Sequence, residues 1–363
     1  MNKQSDIQYR NYKKSDYLSQ RKLFELSFPE AIGTSVITDE HYKWKFESFP
    51  ESIPSYEYVA EESHGANKEI VGYYAALPFS YKISSGERVL GGMVCDVMTH
   101  PERRGKGIFS EIGRYATDDL KNKTLGFVIG YPVRPEVIPG HLKVGWKIVQ
   151  KMPMYVRPLG VSSFLPPSIR FVSKILNPLL RALQFWTNFN LGEYEIQVMD
   201  PKKFFELEEY PVFLSQWLLE QKNALIKSID FLKWRTAAPG AQYYFVTLRS
   251  RGVLVGYSLV RPTTLRGIES LAILDFAILK EHYRGSRRLH SSIYQLALSL
   301  KKDLVVCISS RQWAKKYRFF SSFYIPTPTV FSLIIKKLSG RVSDEELYIS
   351  DQWHLFWIDS DDL

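Results

Sequence analysis

Cysteine is almost missing from this chain, with two in 363 residues. Cys95 and Cys307 both lie inside apolar, strand-like runs, so they read as buried thiols, which excludes a disulfide framework. No other Cys/His spacing suggests zinc, and no metal is expected. Long apolar runs are missing too. Nothing approaches the ~18 uninterrupted apolar residues of a membrane span, and the opening MNKQSDIQYRNYKKSD has no apolar signal segment. The expectation is an intracellular, cytoplasmic protein. The net charge is +10, which favours anionic partners such as a nucleotide, a nucleotide-sugar, an acidic polymer or a membrane surface. That charge is spread thinly, without a run of five basic residues, so the footprint of a nucleic-acid binder is lacking. The Gly-Lys-Ser/Thr of a P-loop and the three spaced glycines of a dinucleotide fingerprint are absent as well.

What is there describes a globular protein. Hydrophobic content of 45% with 24% charged residues argues against extensive disorder. The length is that of two ordinary cores rather than one.

The most informative stretch runs from Gly91 to Leu120. Gly91–Thr99 has the content of a buried strand, which His100-Pro101 ends because proline cannot donate to a sheet ladder. From Ile108 the apolar residues Ile108, Ile112, Tyr115, Ala116 and Leu120 fall on one face of a helix. Between them, Arg103-Arg104-Gly105-Lys106-Gly107 is a basic, glycine-rich turn. A helix N-terminus leaves backbone N–H groups without intrahelical partners and aligns the helix dipole, so a phosphate is a natural guest there. The two glycines let the backbone approach it, and Arg103, Arg104 and Lys106 supply countercharge. A solvated basic turn is the plainer reading.

The segment THPERRGKGIFSEI resembles the acetyl-CoA-binding motif of the GNAT acyltransferases, Arg/Gln-x-x-Gly-x-Gly/Ala. Arg104 fills its first position and Gly107 its fourth, while Phe109 stands where Gly or Ala is usual. Pro139 to Trp146, PGHLKVGW, is similar to the family's Tyr-x-x-x-Gly-Phe segment, with Gly145 and Trp146 matching and His141 where the tyrosine usually stands. The resemblance covers about the first 155 residues. It implies an α/β (α+β layered) fold with a mixed, mostly antiparallel sheet flanked by helices, and acetyl-CoA as co-substrate. It also implies that the backbone of Val97, Met98 and Thr99 lines the pantetheine and that Arg104, Gly105, Lys106, Gly107, Ile108 and Phe109 lie at the phosphates.

The second half repeats the first. Lys43-Trp44-Lys45 is echoed by Lys233-Trp234-Arg235, and Val71-Gly72-Tyr73 by Val255-Gly256-Tyr257. Asp96 is echoed by Asp275 and Arg104-Gly105 by Arg284-Gly285. The organisation expected is two tandem GNAT-like domains, 1–158 and 193–363, joined by a connector at 159–192. At the second site Arg287 and Arg288 replace Gly107 and Ile108, so the second domain is expected to be cofactor-free. Within the connector, the basic amphipathic segment 166–189 reads as a helix kinked at Pro178. It either lies across both domains or rests on an anionic membrane face. Ile148 to Val156 reads as the strand that closes the first domain.

Acyl transfer to an amine requires a group that deprotonates the ammonium and one that returns a proton to the leaving thiolate. Asp96 is the candidate base, since a carboxylate in an apolar strand must find a partner or face a cleft; a structural role is the alternative, and Glu102 and Glu136 are weaker substitutes. The resemblance makes His141 the candidate acid by position, or the base instead, with Tyr131 a further acid. The function expected is an acetyl-CoA-dependent N-acetyltransferase acting on a primary amine of a small molecule, such as an amino sugar or a surface-polysaccharide precursor. The alternatives are a Fem-like aminoacyl or peptidyl transferase and a non-catalytic acyl-CoA-binding protein. The sequence leaves the oligomeric state open.

Overall fold

A computed structural model of the chain describes residues 6–64, 67–160 and 193–360, with positions 168, 171, 175, 177 and 178 between the last two. The amphipathic segment expected at 166–189 lies almost wholly outside the described residues. Among them, no helix is long and apolar enough to cross a membrane.

The first half runs β1 (Asp6–Asn11), α1 (Tyr17–Ser27), α2 (Asp39–Tyr42) with a π-helical turn Lys43–Glu47, then β2 (Tyr56–His64), β3 (Asn67–Lys82) and β4 (Arg88–Thr99). There follow α3 (Ile108–Lys121), β5 (Phe127–Gly130), α4 (Ile138–Lys143) and β6 (Lys147–Pro158). Strands β1 to β4 are antiparallel neighbours, and β4 pairs in parallel with β5. β5 is buried at every position, as a parallel strand covered on both faces must be. The amphipathic spacing of α3 places Ile108, Ile112, Ala116 and Leu120, all essentially inaccessible, against Tyr58, Ala60, Tyr74 and Ala76 of β2 and β3. Alternation along those strands presents Val59, Tyr73 and Ala75 to the other face, and α1 packs on β3 and β4.

The second half restates this plan. Its elements are β7 (Tyr194–Met199), α5 (Pro201–Phe204), α6 (Tyr210–Glu220), β8 (Asn223–Leu225), α7 (Ile229–Thr236), β9 (Tyr244–Ser250), β10 (Val253–Leu265) and β11 (Ile268–Ile278). These lead to α8 (Ser286–Ser299), β12 (Leu304–Ile308), α9 (Arg311–Lys316), β13 (Ile325–Lys337), α10 (Asp344–Tyr348) and β14 (Trp353–His354), the last paired with β8. The order β7-β9-β10-β11-β12 repeats β1-β2-β3-β4-β5, including one parallel pair, β11 with β12. Each sheet is mixed, open and flanked by helices, which is the fold class expected.

The chain divides into two compact units that are discontinuous in sequence: Met1–Gln150 with Ala237–Gly240 and Ser332–Ser350, and Lys151–Thr236 with Ala241–Phe331 and Asp351–Leu363. The reason is a reciprocal exchange of strands. β6 does not close the first unit as expected; its Met154–Pro158 segment pairs antiparallel with β12 in the second. Ile334 to Lys337 of β13 pair antiparallel with β5 and close the first. Both strands follow the buried parallel strand and short helix of their own half, so local pattern is the same for either pairing. The exchange brings Ile334 and Leu338 into the core under α3, and Lys336 donates from Nζ to Thr117 Oγ1 at 2.8 Å.

Candidate active site

The parallel pairing of β4 with β5 covers only Gly91/Phe127 to Met93/Ile129. β4 then runs on to Thr99, so the edge of Val94–Thr99 on that side has no strand partner among the described residues. Within this free stretch a bulge shifts the register against β3 between Tyr73/Met98 and Ala75/Cys95. A bulge leaves one residue outside the ladder and re-aims its neighbours. Asp96 occupies it with φ +46°, left-handed and uncommon for a non-glycine residue. Val97 and Thr99 are half-buried and Met98 is buried.

The edge leads into the basic turn. Gly105 and Gly107 have φ of +78° and +83°, and a Cβ on either would meet nothing within 4 Å. Backbone conformation rather than crowding is therefore what requires glycine. Gly107 caps α3, whose first amides, at Ile108 and Phe109, precede any intrahelical acceptor. Arg104 and Lys106 are exposed and carry no ion pair among the described residues. Arg103 is anchored instead: its Nε donates to buried Glu62 Oε2 at 2.7 Å. An extended edge ending at a glycine-lined helix N-terminus fits a pantetheine arm with a pyrophosphate behind it.

Phe109, the departure from the motif, is accommodated by a glycine. A Cβ at Gly140 would lie 2.6 Å from the Phe109 ring, and the ring meets His141 edge-on at 4.9 Å. His141 also meets Trp146, at 5.0 Å. Boxed by these rings, the imidazole is buried and desolvation lowers its pKa to about 4, so it is neutral at neutral pH. Gly145 has φ +89°, which explains glycine at that matched position. Tyr131 is buried just beyond β5.

On the α1 side of the sheet, Lys45 Nζ pairs with Asp96 Oδ1 at 2.8 Å. Asp96 thus has a partner, as a carboxylate in an apolar strand requires. Near it lies Glu57 of β2, which sequence reasoning did not single out. Its carboxylate accepts from Tyr73 at 2.5 Å, Ser55 at 2.9 Å and Tyr42 at 3.0 Å. Burial raises its pKa against these hydrogen bonds, with the neighbouring Asp96 adding to the rise. Glu102 and Glu136 are exposed.

In the second unit the corresponding features are filled. Every residue from Leu271 to Ile278 is buried. Phe276, at the position of Val97, stacks among His290, Tyr317 and Phe356, and its carbonyl oxygen contacts His354 Nε2 at 3.1 Å. The turn is a 3-10 helix, Lys280–Gly285, with Gly285 at φ −67°. A Cβ there would strike Leu248 at 2.7 Å and the Tyr194 ring at 3.1 Å. Arg284 is engaged by Tyr194 and Glu193. Asp275 is retained beside a bulge, in register with Leu259 while Leu274 falls outside the ladder, and forms a fully buried pair with Lys227 at 2.6 Å.

A parallel pair that parts after three residues, ending at a left-handed glycine turn and a helix N-terminus, makes a site shaped for an extended arm with a phosphate group at its end. Residues 8–149, rather less than half of the chain, match the family model described as an acetyltransferase (GNAT) domain. A GCN5-related N-acetyltransferase from Anabaena variabilis is similar, with TM-score 0.62 and 14% identity over 92% of this chain and 73% of that one. A tandem GNAT protein from the clavulanic acid biosynthesis pathway superposes with TM-score 0.60 and 12% identity, over 93% of this chain and all of that one. Saccharomyces cerevisiae N-myristoyltransferase with bound myristoyl-CoA gives 0.60 and 11%, over 91% and 79%. No curated protein sequence matches the chain.

Proposed function

We propose that this protein is an acetyl-CoA-dependent N-acetyltransferase, acting in the cytoplasm on a primary amine of a small molecule, with one working site in the first unit. The free edge of β4 running into the Gly105–Gly107 turn carries this reading. Bound acetyl-CoA would supply a thioester carbonyl and a thiolate leaving group. The backbone of Val97, Met98 and Thr99 would hold the pantetheine arm, and the amides from Gly105 to Phe109 with Arg104 and Lys106 would hold the phosphates. A carboxylate beside the bulge, Asp96 or its neighbour, would take the proton from the acceptor ammonium. We assign the proton for the departing sulfur to Tyr131, because His141 is neutral at neutral pH and an imidazolium acid is not at hand. The second unit, with its edge buried and its turn filled by Tyr194, would bind no cofactor.

Calorimetry tests the reading. One acetyl-CoA is expected per chain; Gly107→Arg should abolish binding, because a side chain there is strained and blocks the cradle, while Arg287→Gly should leave it unchanged. A stoichiometry near two, or a loss on changing Arg287 alone, places the site in the wrong half. Titration with myristoyl-CoA in parallel sets the acyl length, a tighter fit for the long chain counting against acetyl.

A further inference from the structure

Glu57 stands out because it lacks what a carboxylate in this protein should find easily. Lys and Arg number 48 against 38 Asp and Glu, yet Glu57 has no ion pair among the described residues. Its three hydrogen-bond donors, Tyr42, Tyr73 and Ser55, are neutral hydroxyls. Such donors hold the carboxylate in place without cancelling its charge.

The surroundings are aromatic. The rings of Tyr12 and Tyr73 meet edge-on at 6.1 Å, Phe46 and Tyr73 at 6.4 Å, and Tyr42 and Phe46 at 5.0 Å. Tyr42, Phe46 and Tyr73 are buried, while Tyr12, Ser55 and Glu57 are half-exposed, so the residue is partly open to solvent. A single negative charge at the mouth of an aromatic wall recognises an organic ammonium, through an ion pair and the negative faces of the rings. Position supports this. Glu57 pairs with Ala75 and Ala75 with Cys95, one residue before the bulge. At ~4.8 Å per strand this row sets Glu57 about 10 Å from β4, across the sheet from the free edge. Asp96, by contrast, already holds Lys45, and its counterpart Asp275 keeps the same kind of pair in a unit whose cofactor features are filled.

We propose that Glu57, walled by Tyr12, Tyr42, Phe46 and Tyr73, receives the ammonium group of the acceptor and takes its proton, and that Asp96 with Lys45 holds the bulge in shape. One proton passes from the ammonium nitrogen to a Glu57 oxygen; the nitrogen keeps the freed lone pair, and no other bond changes at this residue. The assignment rests on the acyltransferase reading and names its acceptor class, a cationic primary amine. The groups facing Glu57 are Tyr12 just beyond β1, Tyr42 from α2, Ser55 from the segment before β2, Tyr73 from β3 and Asp96 with its partner Lys45.

The test uses the full chain without acetyl-CoA and n-butylammonium at pH 8 as probe, followed by NMR or calorimetry, with n-butanol as the uncharged control. Wild type should bind the amine and not the alcohol. Glu57→Gln, which keeps oxygen for the hydroxyl donors and should keep its melting temperature, should weaken the amine about ten- to a hundredfold, and Glu57→Asp should recover part of it. Equal affinity in Glu57→Gln, or a loss that appears in Asp96→Asn and not in Glu57→Gln, overturns the assignment. Acetyl-CoA calorimetry is read separately: a chain that binds the amine through Glu57 but no acyl-CoA sinks the acyltransferase reading and keeps this site.

Discussion

His141 stands where the family's motif carries tyrosine, and its surroundings decide what it can do. An imidazole whose folded pKa is near 4, against ~6.5 for the free side chain, charges in the unfolded chain before it charges in the folded one. Its contribution to stability is therefore complete above about pH 6.5 and is lost as pH falls toward 4, a change of up to about 3 kcal/mol. Denaturation of wild type and His141→Gln at pH 7.5, 6, 5 and 4 should show the two curves converging as the pH falls. The buried His290, lowered to about 3, and His354 are common to both proteins and cancel. If the curves stay parallel while the variant loses the alkaline fall of kcat, the imidazole titrates in the neutral range and serves as the acid after all. Glu57 makes a different point about what can be read in advance. In YEYVAEE it looks like one more outward residue of an alternating strand, since nothing local announces that Tyr42 and Tyr73 will converge on it.

The β4–turn–α3 unit was legible because every determinant is local: a strand stopped by His100-Pro101, glycines where φ turns positive, and one apolar face from Ile108 to Leu120. What was not legible is how Phe109 fits, because its space comes from Gly140, some thirty residues on. That contact gives a sharp expectation. Gly140→Ala drives a methyl into the Phe109 ring and should cost ~1–3 kcal/mol, with weaker acetyl-CoA binding as the first turn of α3 shifts. Phe109→Ala should tolerate Gly140→Ala with little further loss. A double-mutant cycle in thermal melts measures the coupling, and additive costs would show that the ring is not what requires glycine at 140.

The exchange of β6 and β13 could not be read from the sequence, because both are extended strands behind the same local arrangement and neither names its partner. Its physical effect is that neither half of the chain contains a complete unit. A fragment ending at residue 160 would leave β5 with a bare edge and the α3 core without Ile334 and Leu338, and exposed edges associate. Such a fragment is expected to aggregate and to bind no acetyl-CoA, whereas the full chain nicked within 161–192 should keep its affinity and elute as one species. A fragment of residues 1–160 that is monomeric and cooperative in denaturant would refute this.

The same exchange sets a delay during synthesis. β5 is complete at Gly130, but the strand that covers it ends at Lys337, roughly 200 residues later. At ~5–20 residues per second the ribosome takes about 10–40 s to make that stretch, during which the edge of β5 stands open, and β6 has no β12 to join until Ile308 has been added. The interval is long compared with helix and hairpin formation, so in the cell the first unit waits, partly built, for nearly the whole of the second to be made. A chaperone that shields one short apolar edge near residue 130 would act during this interval.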